Sequence, residues 1–124
     1  QNKHDAEKRA LQNIVEKLPE NKAGEIISLW EEFEENKSQE AQFANSLDKI
    51  EVLMQHNLAD ISTWEQGDFN VCAYYKNNYF DFDSFMRLFK DVVDNQTMEK
   101  LIETSTISRI SPEHLEIYNK SKKP

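Results

Sequence analysis

Three polar side chains, Asp48, Glu51 and Gln55, are the best candidates for chemistry in this sequence. Their spacing of i, i+3 and i+7 places them on one face of a helix. Beside them runs an apolar stripe of Phe43, Leu47, Ile50, Met54 and Leu58. Carboxylates next to such a stripe are costly to desolvate unless they are hydrogen-bonded, paired or bound to a cation. Two readings stay open on that ground: a boundary row, solvated at its tips or paired with Lys or Arg of a neighbouring helix, and a row that serves a cation site. Other reactive groups are few, with three His and one Cys in the chain. There is no glycine-rich phosphate loop and no CxxC or HExxH metal pattern. His56 and His114 have no partner in the pattern and read as surface or core histidines. Cys72 stands alone in an apolar and aromatic stretch, where a buried, inert thiol is expected.

Helices must position these groups. Two Gly and three Pro in 124 residues leave little of the punctuation that hairpins need. Ala10, Leu11, Ile14, Val15 and Leu18 predict an amphipathic helix from about Asp5 to Leu18, ended by Pro19. A second stripe runs through Ala23, Ile26, Ile27, Trp30 and Phe33. Glu31, Glu32, Glu34 and Glu35 crowd its C-terminal end, against the helix dipole, and read first as a solvated face, with offset by a metal, a partner or a basic neighbour as the alternative. Ser38 is an N-cap for the informative helix, Gln39 to Leu58. Beyond it, Ser62 is read as a cap, Gln66-Gly67-Asp68 as a break, and Phe69 to Tyr79 as a helix whose aromatic residues would also suit a strand. Asp83 caps a helix ending near Asn95, Met98, Leu101 and Ile102 mark a further short one, and Ser111-Pro112-Glu113 starts the last.

A formal charge of -8 repels nucleic-acid backbones and anionic membranes, so neither is expected as a partner. The basic run Lys120, Lys122 and Lys123 is too short to reverse this and reads as a solvated tail. No stretch approaches the ~20 apolar residues of a membrane span, and the cytoplasm is the default address. The length suits a single helical domain, 1–124. The opening residue is Gln1 rather than Met, and we treat the sequence as a fragment.

The run Leu29-Trp30-Glu31-Glu32-Phe33-Glu34, then Ser38-Gln39-Glu40-Ala41-Gln42-Phe43, then Leu47-Asp48-Lys49-Ile50-Glu51 with Gln55, resembles the second half of the HD-domain hydrolases of the 5'-deoxynucleotidase type. Glu7, Ala10 and Leu18-Pro19-Glu20 suit the helix that precedes these in the family. The resemblance covers residues 5–60 best, is looser through Trp64 to Asn70, and leaves 61–124 as a C-terminal helical extension. It implies an all-α, HD-domain-like bundle of about six or seven helices, here without the N-terminal ones. It also implies a metal-dependent phosphohydrolase acting on nucleoside monophosphates or similar small-molecule phosphate esters. In that family a His, a His-Asp doublet and a final Asp hold a divalent transition metal. Asp48 matches the final Asp. Glu51 and Gln55 match positions on the same face, where a second-shell or pocket-lining role is expected, and no catalytic residue is carried over. The other ligands belong upstream of this segment, and His4-Asp5 falls just before the Glu7/Ala10 helix without the acidic motif that should follow the doublet. One carboxylate cannot hold a metal that needs about three protein ligands, so the chain alone is expected to be inactive. The rival expectation is a non-catalytic, acidic helical protein-interaction module with a degenerate HD fold. Family members often dimerise, which makes a homodimer an expected assembly.

Overall fold

Asn2 opens the first helix, its side chain accepting a hydrogen bond from the backbone N–H of His4 and so satisfying one donor that a helix N-terminus leaves over. The structure is a computed structural model that describes residues 2–72 and 75–121. Six α-helices occur among the described residues: α1 (Lys3–Val15), α2 (Glu20–Glu35), α3 (Gln39–Leu58), α4 (Gln66–Val71), α5 (Ser84–Glu103) and α6 (Pro112–Ser121). Short 3-10 turns at Ile61–Thr63, Asn77–Phe80 and Ile107–Arg109 join the later ones, and no strand is found among the described residues. The all-α class expected from the sequence is what is observed. Tyr74, within the expected Phe69 to Tyr79 helix, and Lys122 and Lys123 of the basic run lie outside the described residues. The chain divides into two compact units, Gln1–Gln42 and Phe43–Pro124.

In the first unit α1 and α2 pack as a hairpin. Helix α1 stops at Val15, three residues earlier than the apolar pattern suggests, because residues before Pro19 are pushed away from helical geometry. The acidic end of α2 has basic neighbours. Lys8 pairs with Glu31 at 3.1 Å, His4 pairs with Glu34 at 3.1 Å, and Lys37 reaches Glu35. His4 also stacks on Trp30, ring centroids 5.0 Å apart. These pairs are largely exposed, so each contributes up to about 1 kcal/mol. Helix α2 ends on Asn36 in the left-handed conformation, φ 51°.

The second unit is held by two apolar clusters that share one helix. Trp64, Phe69, Cys72, Leu101 and Ile110 form one, and Ile50, Leu53, Phe80, Met86 and Val93 form the other. Helix α5 gives Leu101 to the first cluster and Met86 and Val93 to the second. The sequence pattern breaks this helix near Asn95, yet it runs unbroken for 20 residues. Its polar positions at the predicted break are buried and satisfied. Thr97 Oγ1 donates to Asn57 Oδ1 at 2.8 Å, and Lys90 and Asp94 pair at 2.6 Å with both residues almost fully buried. Lys90 Nζ also donates to Asn77 Oδ1 at 2.9 Å. Asp83 caps α5 as expected, accepting from the backbone N–H of Met86. At the other end Ser105 takes the left-handed conformation, φ 56°, and the N–H of Thr106 closes back on the carbonyl of Leu101, a Schellman ending with serine where glycine is usual.

Three further local expectations change. Gln66-Gly67-Asp68 is not a break but the first turn of α4, where the side chains of Glu65 and Asp68 form a reciprocal capping box. Gly67 and Gly24, the chain's two glycines, both lie inside helices, and a Cβ added at either would meet nothing within 4 Å. Ser62 is not the cap of its turn, since Asp60 accepts from the N–H of Ser62. The Phe69 to Tyr79 stretch is not one helix, because α4 ends at Val71 and a separate 3-10 turn starts at Asn77. Left-handed Lys76, φ 54°, stands before that turn.

Candidate functional site

Ser38 fixes the start of α3, its Oγ accepting from the backbone N–H of Ala41 at 3.1 Å, and with that start the register of the helix is set. In this register the buried side of α3 carries Asn45, Ser46, Ile50 and Leu53. The expected core stripe is therefore only partly core. Ile50 is buried, whereas Phe43, Leu47, Met54 and Leu58 are exposed. Polar residues with internal partners share the inner side of the helix with Ile50 and Leu53. Ser46 Oγ donates to the carbonyl of Phe43, and Asn57 Nδ2 donates to the carbonyl of Val93.

Asp48, Glu51 and Gln55 are all exposed, next to the uncovered part of the stripe. Asp48 is paired with Lys49, Nζ to Oδ2 2.6 Å, so its partner is its own chain neighbour rather than a residue from another helix. Lys49 Nζ also lies over the Tyr79 ring, 5.3 Å from its centre. Partial burial pulls the Lys49 ammonium down, but the hydrogen bond and charge of Asp48, with Tyr79 and Tyr75, outweigh it and hold the group above the usual lysine value.

The three histidines are engaged elsewhere. His4 meets Glu34 and Trp30, His56 Nε2 lies 3.4 Å from Asp68 and tilts against Trp64, and His114 Nδ1 shares a hydrogen bond of 2.6 Å with Ser111 Oγ. Cys72 donates to the carbonyl of Phe69, and burial, helped by the charge of Asp94, pushes its thiol up to about 12. The burial expected of this thiol is what the structure holds. In the native chain Cys72 should resist iodoacetamide at neutral pH and react only on denaturation, since the thiolate is the nucleophile; alkylation followed by mass spectrometry reads this directly.

What the sequence does not reveal is the buried pair of Lys90 and Asp94, with Asn77 beside it. The i, i+4 pairing of Lys90 and Asp94 was its only signal, and that pattern is far more common on exposed helix faces. Among the described residues no group of three His, Cys, Asp or Glu side chains converges in a way that could hold a metal ion.

The HD-domain family profile matches residues 1–90, nearly three quarters of the chain. The chain belongs to the HD-domain family. Among curated proteins, this HD-domain chain is 42% identical over 53 residues to the 5'-deoxynucleotidase HDDC2 of Mus musculus, covering 43% of this chain and 27% of that protein. The Homo sapiens protein of the same name is likewise 42% identical over 53 residues, 26% of its length, and the Xenopus laevis one 40%. The matched segment thus spans about a quarter of these relatives. No solved structure gives a significant match. The described residues of this HD-domain chain do not by themselves fit the divalent metal that the resemblance implies, because no three donor side chains converge among them and Asp48 is paired with Lys49. No helix among the described residues is long and apolar enough to cross a membrane.

Proposed function

We propose that this chain is the part of a metal-dependent phosphohydrolase that carries its last ligand helix, with nucleoside monophosphates or similar small phosphate esters as substrates. The observation that carries this reading is the HD-domain match over residues 1–90, which contains all of α3. The curated relatives, named as 5'-deoxynucleotidases, supply the substrate class. Asp48 is the one donor this chain would offer to a divalent transition metal. Its carboxylate is exposed and could exchange Lys49 for a stronger cation. Glu51 and Gln55 stand on the same exposed face, where they would line the pocket beside it and hydrogen-bond water or substrate.

A chain with one donor holds no metal, and by itself it should release no phosphate from deoxynucleoside 5'-monophosphates. In a longer polypeptide that contains it and turns over such substrates, Asp48→Ala should abolish metal retention, read by elemental analysis, and lower kcat/KM by at least about a hundredfold. Its melting temperature in the metal-free form should hardly move, since an exposed side chain contributes within about 0.5 kcal/mol. Unchanged activity and metal content in that variant would overturn the assignment of Asp48.

A further inference from the structure

Within the Phe43–Pro124 unit, the 3-10 turn at Asn77, helix α5 and the end of α6 enclose a cavity of about 260 Å³. Among the described residues it is lined by Asn77, Arg87, Asp91, Asp94, Asn95 and Ser121, every one of them polar. A space of this size lies below the ~300–1,000 Å³ of sites for drug-sized ligands, so its occupant has only a few heavy atoms.

The charges of the wall select that occupant. Asp94 is 1% exposed, and its charge is met within the wall by fully buried Lys90 at 2.6 Å. One cation and one anion are then left to face the cavity, Arg87 and Asp91, both half-buried. Neither is tightly held. Arg87 Nη1 lies 3.3 Å from Asp81 Oδ1 and 3.4 Å from the carbonyl of Asn77, and its Nε lies 3.9 Å from Asp91, whereas close charge-assisted bonds are about 2.7–2.9 Å long. Asn77 accepts from Lys90 through Oδ1, which leaves its Nδ2 without a hydrogen bond among the described residues. The side-chain amide of Asn95 has none there either. The cavity therefore offers spare donors on Arg87, Asn77 and Asn95, and spare acceptors on Asp91 and Asn95.

A lone anion in this space would be repelled by Asp91, and a lone cation by Arg87. A molecule that carries both charges close together meets neither obstacle. Arg87 and Asp91 stand one turn apart on α5, about 5–6 Å between their Cβ atoms, which suits a carboxylate and an ammonium borne by one carbon atom. From these observations we propose that the cavity binds a small polar α-amino acid as its zwitterion. Its carboxylate accepts from Arg87 and from Nδ2 of Asn77, its ammonium donates to Asp91 and to Oδ1 of Asn95, and its short polar side chain lies against Ser121. The proposal does not depend on the phosphohydrolase reading, since Asp48, Glu51 and Gln55 take no part and four of the six lining residues follow residue 90, where the family match ends.

The test uses the isotope-labelled full chain and L-serine, with 3-hydroxypropionate and ethanolamine as the same skeleton without the ammonium or without the carboxylate. Serine should shift the side-chain amide resonances of Asn77 and Asn95 with a Kd of about 1 mM. Each half-charged analogue should bind at least about tenfold more weakly. Asp91→Asn should weaken serine about tenfold and bring 3-hydroxypropionate level with it, and Arg87→Gln should do the same for ethanolamine, both at unchanged far-UV ellipticity. If Arg87→Gln alters the ellipticity, Asp91→Asn decides alone. No shift with serine, equal affinity for either analogue, or serine binding that Asp91→Asn leaves intact would overturn the proposal.

Discussion

Lys90→Ala should destabilise the Phe43–Pro124 unit by about 3–5 kcal/mol, the usual result of removing one partner of a buried ion pair. Both residues of the pair are almost wholly shielded from water, and the contact is short, 2.6 Å. Removing the ammonium, which lies over the Phe80 ring, takes its counter-charge from the buried Asp94 carboxylate. Asn77 also loses the donor that its Oδ1 accepts from. A buried carboxylate that has lost its counter-charge favours its protonated form. A native state that binds a proton more readily than the unfolded chain loses stability as pH rises, so the penalty should be smaller in mildly acidic buffer than at neutral pH. Replacing the pair together, Lys90→Met with Asp94→Leu, should cost far less and end near neutral or above the wild type, because no charge is then left buried. Urea unfolding of the three chains at two pH values checks this. A Lys90→Ala loss under about 1 kcal/mol would mean that water reaches the pair.

Phe69→Ala is the second large effect, again about 3–5 kcal/mol. The ring is fully buried, packs at 5.2 Å against Trp64, and carries the Arg109 guanidinium 4.1 Å above its centre. Truncation leaves a cavity bounded by Trp64, Cys72, Leu101 and Ile110, none of which can fill it without losing contacts of its own. Because α5 serves both clusters as one rigid helix, the damage should not stay local. Urea curves followed by ellipticity and by Cys72 alkylation should shift together. An early rise in Cys72 reactivity, with ellipticity retained, would show that the two clusters open separately.

These same residues show how far the sequence could be read. The helical class followed from the scarcity of glycine and proline and from apolar spacing, and α1, α2, α3 and α6 lie close to where that spacing puts them. The reading failed where polar residues are buried and satisfied. Thr97, Asp94 and Lys90 look like surface in a one-dimensional pattern, so α5 was cut short. Ser46 and Asn57 hide the true inner face of α3 in the same way, and the apolar side chains next to them look like core. At the candidate site, the exposed row of Asp48, Glu51 and Gln55 was legible from spacing, but its chemistry was not. A metal role for Asp48 rests on resemblance alone, because ligands meet in space and spacing along one helix does not show their convergence.

The backbone at the helix ends has a consequence for how this chain tolerates change. Left-handed geometry falls on Asn36, Lys76 and Ser105, while both glycines sit inside helices where a methyl group would meet no obstacle. Glycine is therefore absent where its freedom would help and present where it only adds disorder to the unfolded chain. Asn36 also keeps a buried Oδ1 without a hydrogen-bond partner. Exchanging these assignments, Asn36→Gly at the turn and Gly24→Ala in the helix, would each contribute on the order of 0.5–1 kcal/mol without touching the apolar clusters or α3. The chain thus has unused headroom that could offset losses from altering its exposed faces, which makes it a forgiving scaffold for redesigning what those faces bind.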